Sequence, residues 1–232
     1  MGTMMDSSTS SAHYRRAGLR KRLFAWAMAH SSEAYEASMV ARKRALLSSL
    51  HGDILEIGPG TGPNLEFYPA GVRWTGVEPN PFMHPYLLET LRGLGLPPER
   101  YRIDRGDPGG VRLPAADESV DAVVSTLVLC SVSHPDESLQ EILRVLRPGG
   151  QFVFVEHVAA PSGSLLRAFQ NALQPAWGAV GDGCHINRET WVTISQAGFA
   201  RVEIEHYRYP EIGPAGPHIS GRAIKGGSGM LQ

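Results

Sequence analysis

The sequence has little of three things: charge of one sign, long apolar runs and cysteine. Its 232 residues carry a formal net charge of −1, so no overall field attracts nucleic acid, and we expect no nucleic-acid partner. No apolar run reaches the roughly 18 residues that a membrane-spanning helix needs. The two cysteines, Cys130 and Cys184, are too few for a disulfide framework or a cysteine-built zinc site. We therefore expect reduced thiols, a cytoplasmic location and no bound metal.

Apolar strands alternate with amphipathic helices along most of the chain, which is typical of βαβ units and a parallel sheet. Residues 33–226 are predicted to form one α/β domain, and 227–232 a C-terminal tail. Helices are predicted at 33–49, 82–94, 137–146, 165–173 and 189–196. Strands are predicted at Asp53–Ile57, Arg73–Glu78, Tyr101–Asp104, Val120–Ser125, Gln151–Glu156, Val202–His206 and Ser220–Ile224.

Two segments do not follow this alternation. Residues 158–187 are rich in proline and glycine, and a long irregular insertion of this kind predicts an acceptor-site loop or lid. Residues 1–32 are predicted to be a tail, unstructured over 2–12, followed by a basic amphipathic segment. For that segment four interpretations stay open: a signal peptide, an organelle transit peptide, peripheral membrane contact through residues 14–30, or a helix packed on its own domain, where it could cover the site.

A glycine-rich turn follows the first predicted strand. It reads Glu56-x-Gly58-x-Gly60-x-Gly62, and Glu78 stands at the end of the next strand, where a carboxylate can bind both hydroxyls of a ribose. A dinucleotide fingerprint would place its third glycine at position 63, which is Pro63. The spacing therefore disfavours a nicotinamide dinucleotide.

The motif resembles that of the class I S-adenosylmethionine-dependent methyltransferases. That resemblance implies a Rossmann-like α/β fold with a seven-stranded, mostly parallel sheet flanked by helices, and S-adenosyl-L-methionine as the cofactor. Gly106-Asp107 after the third strand also resembles the class, and so does the fourth-strand motif Asp121–Leu129. The cofactor-binding residues that the resemblance implies are Glu56, Gly58, Gly60, Thr61, Gly62, Asn64, Glu78, Pro79, Asn80, Gly106, Asp107, Thr126 and Leu127.

Within the class, residues 38–225 resemble the methyltransferase-like thiol S-methyltransferases. The similarity extends beyond the cofactor motif, to Thr126–Val132, Glu156-His157-Val158, Gly181–Cys184 and Gly216–Ile219. It implies methyl transfer to a small thiol or to sulfide. Methylation of oxygen or carbon in a quinone-like or natural-product molecule stays an alternative, and so does a cofactor-binding protein without turnover. The methyltransferase-like thiol S-methyltransferases begin with a hydrophobic membrane anchor that this sequence does not match. We therefore expect a soluble or peripherally bound relative.

Three residues are candidates for catalysis. His157 ends the fifth strand, and ligands of open α/β sheets bind at the carboxyl ends of strands, so His157 is the first candidate for a base. A packed, hydrogen-bonded histidine is the alternative. Asp182 and His185 in the insertion are the next candidates, with loop structure as their alternative. We expect Cys130 to be buried as a small apolar side chain, and Cys184 either to line the acceptor pocket or to pack in its loop.

Overall fold

The computed structural model describes residues 7–31, 33–106 and 111–227, and seven strands form one sheet within them. The strands are β1 Asp53–Ile57, β2 Arg73–Val77, β3 Tyr101–Asp104, β4 Val120–Thr126, β5 Leu146–His157, β6 Arg201–Arg208 and β7 Pro217–Ile224. The helices are α1 Ser7–Ser31, α2 Glu33–Leu47, α3 His84–Gly93, α4 Pro135–Val145, α5 Leu165–Val180 and α6 Thr190–Gln196.

The sheet order is β3-β2-β1-β4-β5-β7-β6. Strands β1 to β5 pair in parallel, whereas β7 is antiparallel to both β5 and β6. This topology confirms the predicted mostly parallel sheet. The chain steps outward in one direction from β1 to β3 and in the other from β4 onward. A crevice therefore opens at the carboxyl ends of β1 and β4, which is where open α/β sheets bind ligands.

Both faces of the sheet are buried, as a parallel sheet requires. On one face α4 contributes Leu139, Ile142 and Val145, which share one side of the helix and pack against Phe152 and Phe154 of β5. On the other face, side chains from α2 and α3 pack with Trp74 and Val153. The alternation of Phe152, Val153 and Phe154 between the two clusters is the period of two of a strand.

Two predicted bounds in irregular segments need correction. The helix predicted at 165–173 within 158–187 is longer, since α5 begins at Leu165, keeps Pro175 inside it and runs to Val180, seven residues beyond the predicted end. The helix is capped by Ser164, whose side chain accepts a hydrogen bond of 3.1 Å from the backbone N–H of Arg167. The segment 2–12 is not wholly unstructured, because α1 begins at Ser7. In the described part of the chain, no helix is both long and apolar enough to cross a bilayer.

Candidate active site

A cavity of about 690 Å³ opens at the carboxyl ends of β1, β2, β4 and β5, a volume usual for small-molecule sites. Most of the residues predicted for the cofactor and for catalysis lie in its wall. They are Glu56, Gly58, Gly60, Thr61, Asn64, Glu78, Pro79, Asn80, Thr126, Leu127, His157 and Asp182. The wall is completed by α1, by Tyr35 of α2 and by the C-terminal end of α5.

The three glycines of the motif have different physical roles, although all of them have positive φ. A Cβ on Gly60 would meet no atom within 4 Å, so its backbone borders open space and a ligand can approach it closely. A Cβ on Gly58 would lie 2.6 Å from Val128, and one on Gly62 would lie 2.7 Å from Leu65. Gly62 does not line the cavity, so its absent side chain serves packing.

The Glu56 carboxylate is fully buried and organises the wall behind the glycine loop. It accepts hydrogen bonds from Asn64 Nδ2 at 2.7 Å, Tyr68 Oη at 2.8 Å and Trp74 Nε1 at 2.9 Å. Burial raises the pKa of Glu56, and these three donors oppose that rise. Asn64 Nδ2 also donates to Thr126 Oγ1 at 3.0 Å, which ties the loop after β1 to the end of β4.

Asn64 Oδ1 is buried and has no hydrogen-bond partner among the described residues. A buried amide oxygen without a donor is costly, and one in a cavity wall indicates a ligand that supplies a donor. The ammonium group of S-adenosylmethionine is such a donor, and Gly60 leaves room for its close approach. The residues present therefore fit this cofactor.

Glu78 lies between two loops at the end of β2. Its Oε2 accepts the N–H of Gly60 at 2.9 Å and its Oε1 accepts the N–H of Asn80 at 2.7 Å. Each carboxylate oxygen keeps further lone-pair capacity for a ribose hydroxyl. Burial raises the pKa of Glu78. This arrangement fits the predicted role of Glu78, with Asn80 as the residue that fixes the carboxylate.

Of the two residues predicted after β3, the described one is Gly106. Gly106 does not line the cavity; its N–H donates to Asp104 Oδ1 at 2.9 Å, and its absent Cβ would lie 2.4 Å from Val77. Asp107 falls outside the described residues, so its role stays a prediction. At the end of β4, Leu127 has φ +60 and its N–H donates to Val155 O at 2.7 Å, which holds the strained turn beside the cavity.

Helix α1 covers the cavity. Lys21, Phe24 and Met28 line it, and Asn80 Nδ2 donates to the Lys21 carbonyl at 3.1 Å. Of the interpretations of residues 1–32, this placement favours a helix that packs on its own domain and covers the site. One side of α1 faces away from the domain, since Leu19, Leu23 and Trp26 are 59%, 57% and 56% exposed.

His157 lies at the acceptor end of the cavity and takes part in a hydrogen-bond relay. Burial raises the pKa of Tyr35 and is the main cause that lowers the pKa of His218 to about 3, so Tyr35 is a phenol and His218 a neutral imidazole. His218 Nδ1–H donates to Gly216 O at 2.7 Å, which leaves Nε2 to accept from Tyr35 Oη at 2.5 Å. Tyr35 Oη can then accept from His157 Nε2–H, 3.5 Å away. The relay therefore leaves a bare lone pair on Nδ1 of His157.

That nitrogen faces both cysteines. His157 Nδ1 is 3.6 Å from Cys184 Sγ and 4.0 Å from Cys130 Sγ, and the two sulfurs are 3.5 Å apart. The hydrogen bond shared with Cys130 lowers the pKa of Cys184. That bond and burial raise the pKa of Cys130. Cys130 and Cys184 are 54 residues apart along the chain, so their spacing does not indicate that their sulfurs meet.

A buried acid that sequence reasoning missed holds Cys130 in place. Glu156 Oε1 accepts from Ser125 Oγ at 2.7 Å and from the N–H of Leu129 at 3.0 Å, and Oε2 accepts the N–H of Cys130 at 3.2 Å. Burial raises the pKa of Glu156. An acid at the end of the apolar run Phe152–Val155 was the available signal, since a carboxylate is rarely buried without several donors.

The other two catalytic candidates lie differently. Asp182, with φ +49, lines the cavity, and its Oδ1 is 3.4 Å from Arg20 Nη2 of α1, so it ties the cover to the end of α5. His185 does not reach the cavity. Its Nδ1 lies 3.3 Å from Cys130 O and 3.4 Å from Arg188 Nη2, and it lines a separate shallow pocket beside α5.

Comparisons with known proteins agree with this site. Residues 55–154 match the family model of a methyltransferase domain. The chain is 41% identical over 217 residues to human thiol S-methyltransferase TMT1B, covering 89% of this chain and 88% of the relative. It is 38% identical over 217 residues to human thiol S-methyltransferase TMT1A, covering 88% and 87%.

Solved structures support the fold. The crystal structure of a putative methyltransferase from Bacillus halodurans superposes with a TM-score of 0.65 at 16% identity, covering 82% of this chain and 99% of that one. At that identity the likeness concerns the fold alone. Together with the cavity and its glycine loop, the sequence similarity identifies an S-adenosylmethionine-dependent methyltransferase. The chain belongs to the family of the thiol S-methyltransferases.

Proposed function

We propose that this enzyme transfers the methyl group of S-adenosylmethionine to the sulfur of a small, largely apolar thiol. The observation that carries the proposal is the extent of the similarity to thiol S-methyltransferases. It covers 89% of this chain, far more than the domain match at 55–154, and therefore includes segments after β5 that build the acceptor end of the cavity. That end is built of Tyr35, His157, Trp177 and Cys184.

The chain's own residues supply binding, orientation and proton transfer. When bound, S-adenosylmethionine supplies an electrophilic methyl group on a sulfonium. Asn64 and Glu78 hold the cofactor, and α1 excludes water from the cavity. A thiol has an ordinary pKa of about 8.5 and reacts as the thiolate, so it must lose its proton. The bare Nδ1 of His157 is the group at the acceptor end that takes this proton.

Asp182 does not act as a base in this proposal. It forms an ion pair that helps to hold α1 over the cavity. Its ion pair with Arg20 lies at the surface, with the two side chains 27% and 52% exposed, and such a pair stabilises by at most about 1 kcal/mol. A closure this weak keeps water out and still allows small acceptors and products to exchange.

The test measures S-adenosylhomocysteine formation by the full chain with sulfide, alkyl thiols and aryl thiols, each matched by a phenol or an amine of similar shape. We expect turnover confined to thiols. We also expect His157→Ala to lower it at least tenfold, and His134→Ala, a change at an exposed histidine, to leave it unchanged. Turnover on the phenols would favour the oxygen-methylation alternative, and tight cofactor binding without turnover would favour the non-catalytic one.

We also propose that the exposed side of α1 contacts a membrane surface. Leu19, Leu23 and Trp26 lie one above the other next to Arg20 and Arg22, an arrangement that suits peripheral contact with an anionic membrane surface. Vesicles that contain anionic lipid should sediment the protein, and a triple serine variant of Leu19, Leu23 and Trp26 should stay in the supernatant. Equal sedimentation of both proteins would contradict membrane contact through this helix. A cytoplasmic location, at a membrane surface or free, stays a prediction.

A further inference from the structure

We propose that Cys130 Sγ, Cys184 Sγ and His157 Nδ1 form a binding site for one Zn²⁺ ion, with a fourth coordination position open to the cavity. The part of this proposal that concerns the metal stands on the geometry of the three donors alone. The part that assigns the open position to the acceptor thiol rests on the proposed function.

The donor atoms have the spacing of a zinc site. Their separations are 3.5, 3.6 and 4.0 Å. Tetrahedral bonds of about 2.3 Å to sulfur and about 2.0–2.1 Å to nitrogen would place two sulfurs about 3.8 Å apart and a sulfur and a nitrogen about 3.6 Å apart. A point equidistant from all three atoms lies about 2.2 Å from each, so an ion seated there or just above their plane is at bonding distance.

Hydrogen bonds from neighbouring residues orient His157 and Cys130 for metal binding. The relay through Tyr35 and His218 leaves Nδ1 of His157 without a proton, and hydrogen bonding of the other ring nitrogen is what orients metal-ligating histidines. Glu156 fixes the backbone of Cys130, because its Oε2 accepts the Cys130 N–H at 3.2 Å. The sulfurs are not bonded to each other: 3.5 Å is far beyond the roughly 2.05 Å of a disulfide, and both cysteines are free.

The site is closed on one side and open on the other. Cys130 is fully buried, whereas Cys184 and His157 form part of the cavity wall. Three protein ligands and one open position are the arrangement of catalytic zinc sites, and structural sites use four protein ligands. Two thiolates and a neutral imidazole balance the charge of Zn²⁺, so the loaded site carries no net charge into this buried region.

An open zinc position next to the methyl donor would activate the acceptor. The thiol releases its proton to solvent as its sulfur bonds to the metal, because a coordinated thiol is deprotonated. The sulfur then attacks the methyl carbon; the new sulfur–carbon bond forms as the bond to the sulfonium sulfur breaks. In the loaded enzyme the metal therefore replaces Nδ1 as the cause of thiol deprotonation, and turnover would depend less on pH below the pKa of the free thiol.

The first experiment measures metal binding without turnover. The full chain, stripped with a chelator under a phosphine reductant, is titrated with Zn²⁺ against a chromophoric competitor and separately with Co²⁺. We expect one equivalent of each metal, a tetrahedral cobalt spectrum and a thiolate-to-cobalt charge-transfer band. Cys130→Ser and Cys184→Ser should each halve that band and weaken binding at least tenfold, and His157→Ala should weaken it similarly. The control His134→Ala should bind like the wild type. Binding of S-adenosylhomocysteine shows which variants are folded.

The outcomes separate the metal site from the proposed function. Failure of the wild-type protein to bind one equivalent, or a cobalt spectrum without a thiolate band, overturns the metal site. A benzyl thiol added to the cobalt protein should intensify the charge-transfer band, and an unchanged band overturns the open-position assignment. Thiol methylation by the stripped protein that zinc does not stimulate would refute activation and leave the thiol substrate standing. Absence of thiol methylation by either form would refute the proposed function without touching the metal measurement.

Discussion

Glu56→Ala is the substitution that tests most directly how the site is organised. The carboxylate is 1% exposed and accepts hydrogen bonds from three side chains, those of Asn64, Tyr68 and Trp74. Alanine removes both acceptor oxygens, so the three donors lose the partner that they share.

The expected loss of stability follows from the number of hydrogen-bond donors that lose their acceptor. Leaving one buried donor unsatisfied costs about 1–3 kcal/mol, and part of this is recovered where a donor turns to another partner, as Asn64 can with Thr126. We expect Glu56→Ala to lower the free energy of unfolding by about 3–6 kcal/mol, a large share of the roughly 5–15 kcal/mol typical of a domain. Glu56→Gln keeps one acceptor oxygen, and it should lose about half as much.

The assay is urea denaturation of the cofactor-free protein, with Glu66→Ala as the control. Glu66 is exposed in the segment that follows β1, and its removal should change stability by less than about 0.5 kcal/mol. Calorimetry should also show that Glu56→Gln weakens S-adenosylhomocysteine binding at least tenfold, because Asn64 is no longer held. A loss below about 1 kcal/mol for Glu56→Ala would refute the view of Glu56 as an organiser. Full cofactor affinity in Glu56→Gln would refute its link to the site.

Three further predictions concern the glycine loop, the relay and acid stability. Gly60→Ala should cost only about 1 kcal/mol of stability, because alanine is strained at this positive φ, and calorimetry should show cofactor affinity lowered at least tenfold. Gly58→Ala should lower the melting temperature more, because its Cβ collides with the Val128 side chain. Tyr35→Phe removes the hydroxyl that His157 and His218 share. Initial rates should then show kcat about tenfold lower and the KM for S-adenosylmethionine unchanged. An unchanged kcat would contradict the relay. The Arg73 hydrogen bond lowers the pKa of Asp53, so Asp53→Asn should cost about 1 kcal/mol in urea at pH 7. That difference should vanish as acid protonates the wild-type carboxylate below about pH 4, and a difference independent of pH would count against the ion pair.

The sequence alone determined the parallel pairing of β1 to β5 and the crevice at which the glycine motif lies. Apolar runs of strand length between amphipathic helices specify βαβ units, and glycines at 58, 60 and 62 with acids at 56 and 78 mark the crevice. These signals are local: each depends on residues close together along the chain, so their spacing can be read without a structure.

Only the tertiary structure decided what lies at the acceptor end. Cys130 and Cys184 are separated by 54 residues, yet their sulfurs lie 3.5 Å apart beside His157. The helix α1, whose basic apolar sequence allowed four interpretations, covers the cavity. His185, one residue after Cys184, does not line the cavity. Such contacts join distant segments through the folded sheet, and the direction of a side chain in an irregular loop depends on backbone angles that residue spacing does not specify.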